Sequence, residues 1–166
     1  AGVDGEVLEI GFGTGLNLAH YPPGVTSLTV VDPNPGVHAL ARSRIAAAPF
    51  PIVRHLLGGE RLPMAGATFD CVVSTWTLCS IPDVDRALAE VRRVLKPGGR
   101  FCFVEHGSSE DVRVSRWDAR LTRLQGRLAD GCCAFAGGPY LESRMFGNGH
   151  AIAMSPKAAD LRRAVN

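Results

Sequence analysis

Three glycines at alternate positions, Gly11, Gly13 and Gly15, directly follow the short apolar run Val7-Leu8-Glu9-Ile10. A run of this kind reads as a parallel strand buried on both faces. Glycines at its end let the backbone turn tightly and come close to a ligand. A helix starting there turns its free N–H groups toward the same ligand. The pattern therefore constrains the chain to a layered α/β arrangement with any site at the carboxyl edge of the sheet. Glycines alone leave two readings open: a ligand-binding turn, or a tight strand-to-helix turn with nothing bound.

The rest of the chain continues the rhythm. A helix is predicted from about Thr14 to His20, ended by Pro22-Pro23-Gly24, and a second strand from Ser27 to Val31. Asn34 caps a helix with Pro35 at its first position, and Val37, Leu40, Ala41 and Ile45 form its apolar face. Short strands are predicted at Ile52 to Leu56 and Phe69 to Ser74. The clearest helix starts at Asp83: Val84, Ala87, Leu88, Val91, Val94 and Leu95 recur every three or four residues, and Pro97-Gly98-Gly99 stops it. A fifth strand runs from Arg100 to Glu105, and a helix is expected over residues 112–130. His150 to Ser155 is a candidate last strand in a Gly-rich region without a clean period. Alternating strands and helices imply right-handed crossovers and a doubly wound, mainly parallel, Rossmann-like sheet of five or six strands.

At 166 residues the chain is long enough for one α/β domain and too short for two. We take residues 1–166 as a single domain, with 1–107 as a cofactor-binding core and 108–166 as a helix and irregular region. A net charge of +2 gives no reason to expect nucleic acid. No run approaches the roughly 18 apolar residues of a membrane span, and no signal peptide is visible. Five cysteines in no C-x-x-C pair fit a reducing cytosol and argue against a bound metal. The chain lacks an initiator Met, which suggests that it starts inside a longer sequence.

Asp32 closes the second strand, where an acid in a nucleotide-binding sheet can accept hydrogen bonds from ribose hydroxyls. A lone Asp there is more often a turn residue, but the glycine turn one crossover away favours the ribose reading. The rival is a dinucleotide site, which needs G-x-G-x-x-G. Leu16 occupies its third glycine and no second mononucleotide half follows, so a nicotinamide-dependent dehydrogenase is disfavoured.

At these residues the chain resembles the class I S-adenosylmethionine-dependent methyltransferases. The segment Val7 to Gly15 looks like their first motif, and Val30-Val31-Asp32-Pro33-Asn34-Pro35 like their second-strand acid. Phe69 to Ser74 looks like their fourth strand, and Arg93-Val94-Leu95-Lys96-Pro97-Gly98-Gly99 like the turn into their fifth. The blocks stand in the family's order over about residues 5–107. The resemblance implies S-adenosyl-L-methionine as cofactor and methyl transfer to a small molecule. It implies that Gly11, Phe12 and Gly13 wrap the methionine part of the cofactor, that Asp32 holds the ribose hydroxyls, and that Glu9, Gly15 and Pro33 belong to the same cofactor-binding set. The segment Gly58-Gly59-Glu60 would meet the adenine, and Ser74 and Thr75 the amino-acid end and the substrate. Gly58 departs from the family, which often has Asp or Ser there. Tyr21-Pro22-Pro23-Gly24, Leu78-Cys79-Ser80, Glu105-His106 and Asp130-Gly131-Cys132 resemble the branch with the thiol S-methyltransferases and related bacterial small-molecule enzymes. Members usually carry lid helices before the first strand and a closing antiparallel strand pair; neither is evident, which leaves a cofactor-binding module without catalysis as the alternative.

Four further features have two readings each. Arg113, Arg116, Arg120, Arg123 and Arg127 flank the apolar stripe of the 112–130 helix. A solvated face is the preferred reading; peripheral contact with anionic lipid is the sharper one. Cys132-Cys133 offers too few ligands for a soft ion. His106, after the fifth strand, is the one candidate catalytic group, able to orient or deprotonate a substrate, or it simply fills a strand end. Trp76 either lines a substrate pocket or joins the core.

Overall fold

The structure, a computed structural model, describes residues 2–104 and 151–153. Six strands form one sheet: β1 (Gly5–Ile10), β2 (Val25–Val31), β3 (Ile52–His55), β4 (Phe69–Thr75), β5 (Leu95–Val104) and β6 (Ala151–Ala153). Their order is β3-β2-β1-β4-β5-β6, and every pairing is parallel. The predicted doubly wound architecture is the one observed. The chain runs outward from β1 to β2 and β3, then returns to place β4 on the other side of β1. The carboxyl ends of β1 and β4 therefore flank the crevice where the winding reverses, the usual ligand position in such sheets.

Burial explains the strands. Val7, Leu8 and Ile10 are each at most 1% exposed, so β1 is covered on both faces. Alternate residues serve two cores. Leu8, Ile10, Val72 and Phe101 pack with Leu88, Val91 and Val94, while Val7, Leu28, Val30 and Cys71 pack with Phe12, Leu18 and Ala41. Helix α3 (Val84–Val94) buries Ala87, Leu88, Val91 and Val94 as its spacing predicts, and Asp83 Oδ1 accepts from Arg86 N at 3.0 Å. The described cysteines behave as small apolar residues: Cys71 and Cys79 are buried, and Cys71 Sγ lies 3.7 Å from Cys102 Sγ.

Four sequence expectations are corrected. The predicted Thr14–His20 helix is a single 3-10 turn over Leu16–His20. Gly15, at φ 75°, takes a left-handed conformation that no α-helix continues through, and the prolines leave too few residues to nucleate one. The Asn34-capped helix breaks at Ala41 into α1 (Pro35–Leu40) and α2 (Arg42–Ala46). Ala41 is buried, but Leu40 is 65% exposed and leaves the apolar face. The third strand ends at His55, with Leu56 exposed. Finally, α3 passes directly into β5 at Leu95. Phe69 pairs with Leu95 and Cys71 with Arg100, so the Lys96–Gly99 stretch bulges within the strand, with Gly98 at φ 78°. β6 falls inside the predicted last strand and runs parallel to β5. Glu105, His106, the 112–130 helix and Cys132-Cys133 lie outside the described residues.

Candidate functional site

The carboxyl edge of the sheet opens into a cleft of about 400 Å³, within the range that holds a cofactor. Four segments build it. The glycine turn supplies Gly11 and Gly13, and the end of β2 supplies Asp32 and Pro33. The segment after β3 supplies Gly58, Gly59 and Glu60, and the end of β4 supplies Thr75, Trp76 and Thr77. Ile10, Val31, Leu57 and Ile81 give it apolar walls.

Asp32 organises the entrance. It is 7% exposed. Its Oδ2 accepts from Gly13 N at 2.8 Å and its Oδ1 from Asn34 N at 2.9 Å. One acceptor position on each oxygen is left over, since a carboxylate has about four. Gly11 N donates to Val31 O at 2.9 Å, so the glycine turn is tied to β2 through both main chain and side chain. Gly11 is at φ 78° and a Cβ there would overlap the Thr77 side chain; Gly13 is at φ 53° and a Cβ there would meet nothing. The first glycine is thus required by packing, and the second leaves open surface on the cleft.

Of the sequence-predicted site residues, Gly11, Gly13, Asp32, Pro33, Gly59, Glu60 and Thr75 come together around the cleft. Phe12 does not: it is 3% exposed and its ring packs beneath the loop with Leu18 and Ala41. Gly15 serves the turn rather than the cleft, and Ser74 is fully buried, its hydroxyl without a hydrogen-bond partner among the described residues. Trp76 is resolved in favour of the pocket: it is 41% exposed, lines the cleft and sits at φ 54°. A left-handed aromatic residue is a genuine outlier, and such strain clusters at functional sites.

Glu9 faces away from the cleft opening into a buried network. Oε1 accepts from Asn17 Nδ2 at 2.8 Å and Oε2 from Tyr21 Oη at 2.9 Å. Asn17 Nδ2 also reaches Thr75 Oγ1 at 3.1 Å, so the network ends on a residue of the cleft. Sequence reasoning missed Asn17, because the 3-10 turn that aims it was read as a helix. Burial pushes the Glu9 carboxyl up to about 7, against the lowering effect of its two donors and with help from the Asp32 charge. Burial, and then Glu9 itself, push the Tyr21 hydroxyl far above its ordinary value.

A raised carboxyl makes the folded state bind the proton more tightly than the unfolded chain does. Its stability contribution is full below about 4.5 and is lost as pH rises through about 7. Glu9→Gln should therefore remove this loss and make the ligand-free protein about 2 kcal/mol more stable than the parent at pH 8, allowing for one weakened hydrogen bond. Denaturant unfolding at pH 5.5 and 8 reads this directly. An equal difference between parent and variant at both pH values would contradict it.

The sequence matches the methyltransferase domain family over residues 8–103. It is 38% identical over 143 residues to the thiol S-methyltransferase TMT1A of Homo sapiens, covering 80% of this chain and 56% of that protein. It is 34% identical over 106 residues to the ubiquinone/menaquinone biosynthesis C-methyltransferase UbiE of Geobacter sulfurreducens, covering 61% and 41%. The solved structure of the YcgJ protein of Bacillus subtilis superposes with a TM-score of 0.70 at 27% identity, over 88% of this chain and 61% of that one. The chain thus spans little more than half the length of the thiol S-methyltransferases it matches. The match runs from within β1 to within β5 and takes in the glycine turn, Asp32, the 58–60 segment and Thr75, so the chain belongs to the methyltransferase domain family.

Proposed function

We propose that the cleft binds S-adenosyl-L-methionine and that the protein transfers its methyl group to a small-molecule acceptor. The observation that carries the cofactor assignment is Asp32: a buried carboxylate held rigid by two backbone N–H groups, with an acceptor position left on each oxygen at the mouth of the cleft. Two adjacent hydroxyls of a ribose match two such positions. The open surface over Gly13 suits close approach of the methionine chain, and Leu57, Ile81 and the backbone of Gly58 and Gly59 suit a flat apolar base. Because a side chain at position 58 is absent, adenine selection would rest on backbone and Glu60 contacts.

The cofactor supplies an electrophilic methyl group on a sulfonium. Held by Asp32 and the glycine turn, it would supply that methyl to an acceptor, the carbon–sulfur bond breaking as the acceptor–carbon bond forms and the electron pair staying on sulfur. The chain's own residues contribute alignment and exclusion of water rather than strong acid or base. Thr75 and Trp76, at the end of β4, stand where an acceptor would enter. A thiol is the favoured acceptor class, given the thiol S-methyltransferases among the relatives; it would react as the thiolate. A lipophilic acceptor met at a membrane surface through the segment 112–130, expected from its sequence to be helical, and a cytoplasmic setting belong to the same proposal. Among the described residues no helix is long and apolar enough to cross a membrane.

Titration calorimetry of the purified protein with S-adenosylmethionine and, separately, with NAD tests the cofactor. Saturable binding of S-adenosylmethionine alone is expected. Binding of NAD instead would restore the dehydrogenase reading, and binding of S-adenosylmethionine without methylation of any thiol, quinol or phospholipid would favour the non-catalytic module.

A further inference from the structure

Two carboxylates, Glu9 and Asp32, are buried on either side of the glycine turn, 1% and 7% exposed. Among the described residues neither forms an ion pair with a lysine, arginine or histidine. The groups that act on Glu9 are Tyr21 and Asn17 as donors and Asp32 as a second negative charge; beyond Tyr21 stand the thiols of Cys71 on β4 and Cys102 on β5. Arg100 of β5 acts on the two thiols, and among the described residues no cation acts on Glu9. Buried charge without a partner is costly, and the usual escape is to take up a proton. The Glu9 carboxyl is connected to the cleft through one side chain, Asn17, whose amide also bonds Thr75 Oγ1.

We propose that Glu9 is a buried counter-charge for the cofactor's sulfonium, giving up its proton when S-adenosylmethionine binds and recovering it when the methyl group has left. The inference rests on the cofactor assignment above. Methyl transfer turns a positively charged sulfur into a neutral thioether, while the α-amino and carboxylate groups of the ligand stay the same. Only the first ligand brings a charge that compensates the pair. Glu9 would thus favour S-adenosylmethionine over S-adenosylhomocysteine and weaken the hold on the spent cofactor, a distinction that no contact with shape alone provides. A carboxyl held near 7 in the free protein is poised for such a change.

The test is calorimetric titration at pH 6.5 in two buffers of different ionisation enthalpy, which counts protons released per ligand bound. At this pH the amino group of either ligand remains protonated. About half a proton is expected to be released with S-adenosylmethionine and less than about a tenth with S-adenosylhomocysteine. The ratio of the two affinities should rise about three- to tenfold between pH 6 and 8. In Glu9→Gln the release and the pH dependence of the ratio should both vanish. In Tyr21→Phe, which removes one donor to the ionised carboxylate, the release should persist and shift to higher pH. Equal release for both ligands, binding without buffer-dependent heat, or release that survives in Glu9→Gln would overturn the proposal. Absence of saturable heat with either ligand would instead overturn the cofactor assignment itself.

Discussion

Gly11→Ala is expected to lower stability by about 3–5 kcal/mol and to remove measurable S-adenosylmethionine binding. Two costs combine. Position 11 is at φ 78°, and a left-handed backbone costs a residue with a Cβ roughly 1–2 kcal/mol. The larger cost is steric: the added carbon would overlap Oγ1, Cγ2 and Cβ of Thr77. Because Thr77 Cβ is among the atoms struck, rotating that side chain does not relieve the overlap. Thr77 is also held, its Oγ1 donating to Thr75 O at 3.0 Å. The turn must therefore move, and it carries Gly13 N away from Asp32 Oδ2. Gly13→Ala is the internal control, since its added carbon meets no atom within 4 Å. It should lose only about 1 kcal/mol. Unfolding in urea of both variants separates the cases; ligand titration does not, because a methyl at position 13 stands where the methionine chain would approach. Equal losses at the two positions would mean that backbone strain alone governs the turn and that the Thr77 contact is unimportant.

The features legible in the sequence share one physical origin: they are fixed by local pattern. β1 and β4 read correctly because strands covered on both faces must be apolar at successive positions. Helix α3 read correctly because Ala87, Leu88, Val91 and Val94 repeat at helical spacing behind the Asp83 cap. Asp32 could be picked out because it ends a strand beside a glycine turn. What stayed hidden depends on directions that spacing does not encode. Gly15 in the left-handed region turns the chain so that Asn17, eight residues from Glu9, faces it; a regular helix from Thr14 would have aimed it elsewhere. Phe12 lies in the middle of the motif, yet its ring fills the core under the loop. Leu40 fits an apolar stripe only if the helix is continuous, and the break at Ala41 turns it outward. The conformation of Trp76 has no counterpart in composition or period; it follows from the chain leaving β4 while Trp76 N is bonded to Val104 O at 2.8 Å.

Asp32→Ala should weaken S-adenosylmethionine about 100-fold, a loss near 3 kcal/mol, and lower stability by about 2 kcal/mol. The two effects come from separate jobs. The carboxylate orders the turn through Gly13 N and Asn34 N, and its remaining acceptor positions would take the ribose hydroxyls. A fall in affinity alone does not separate them, because a disordered turn also binds poorly. The ligand offers the missing arm of a thermodynamic cycle. For the parent protein, a cofactor analogue lacking both ribose hydroxyls should also bind about 100-fold more weakly, because it strands the same carboxylate. In Asp32→Ala, removing the hydroxyls should then change affinity by less than about threefold, since their partner is already gone. Additive losses would show that hydroxyls and carboxylate act independently. Asp32 would then be an anchor of the glycine turn and not a ligand-binding group, and the ribose would have to be held by another residue of the cleft, with Glu60 the nearest in kind.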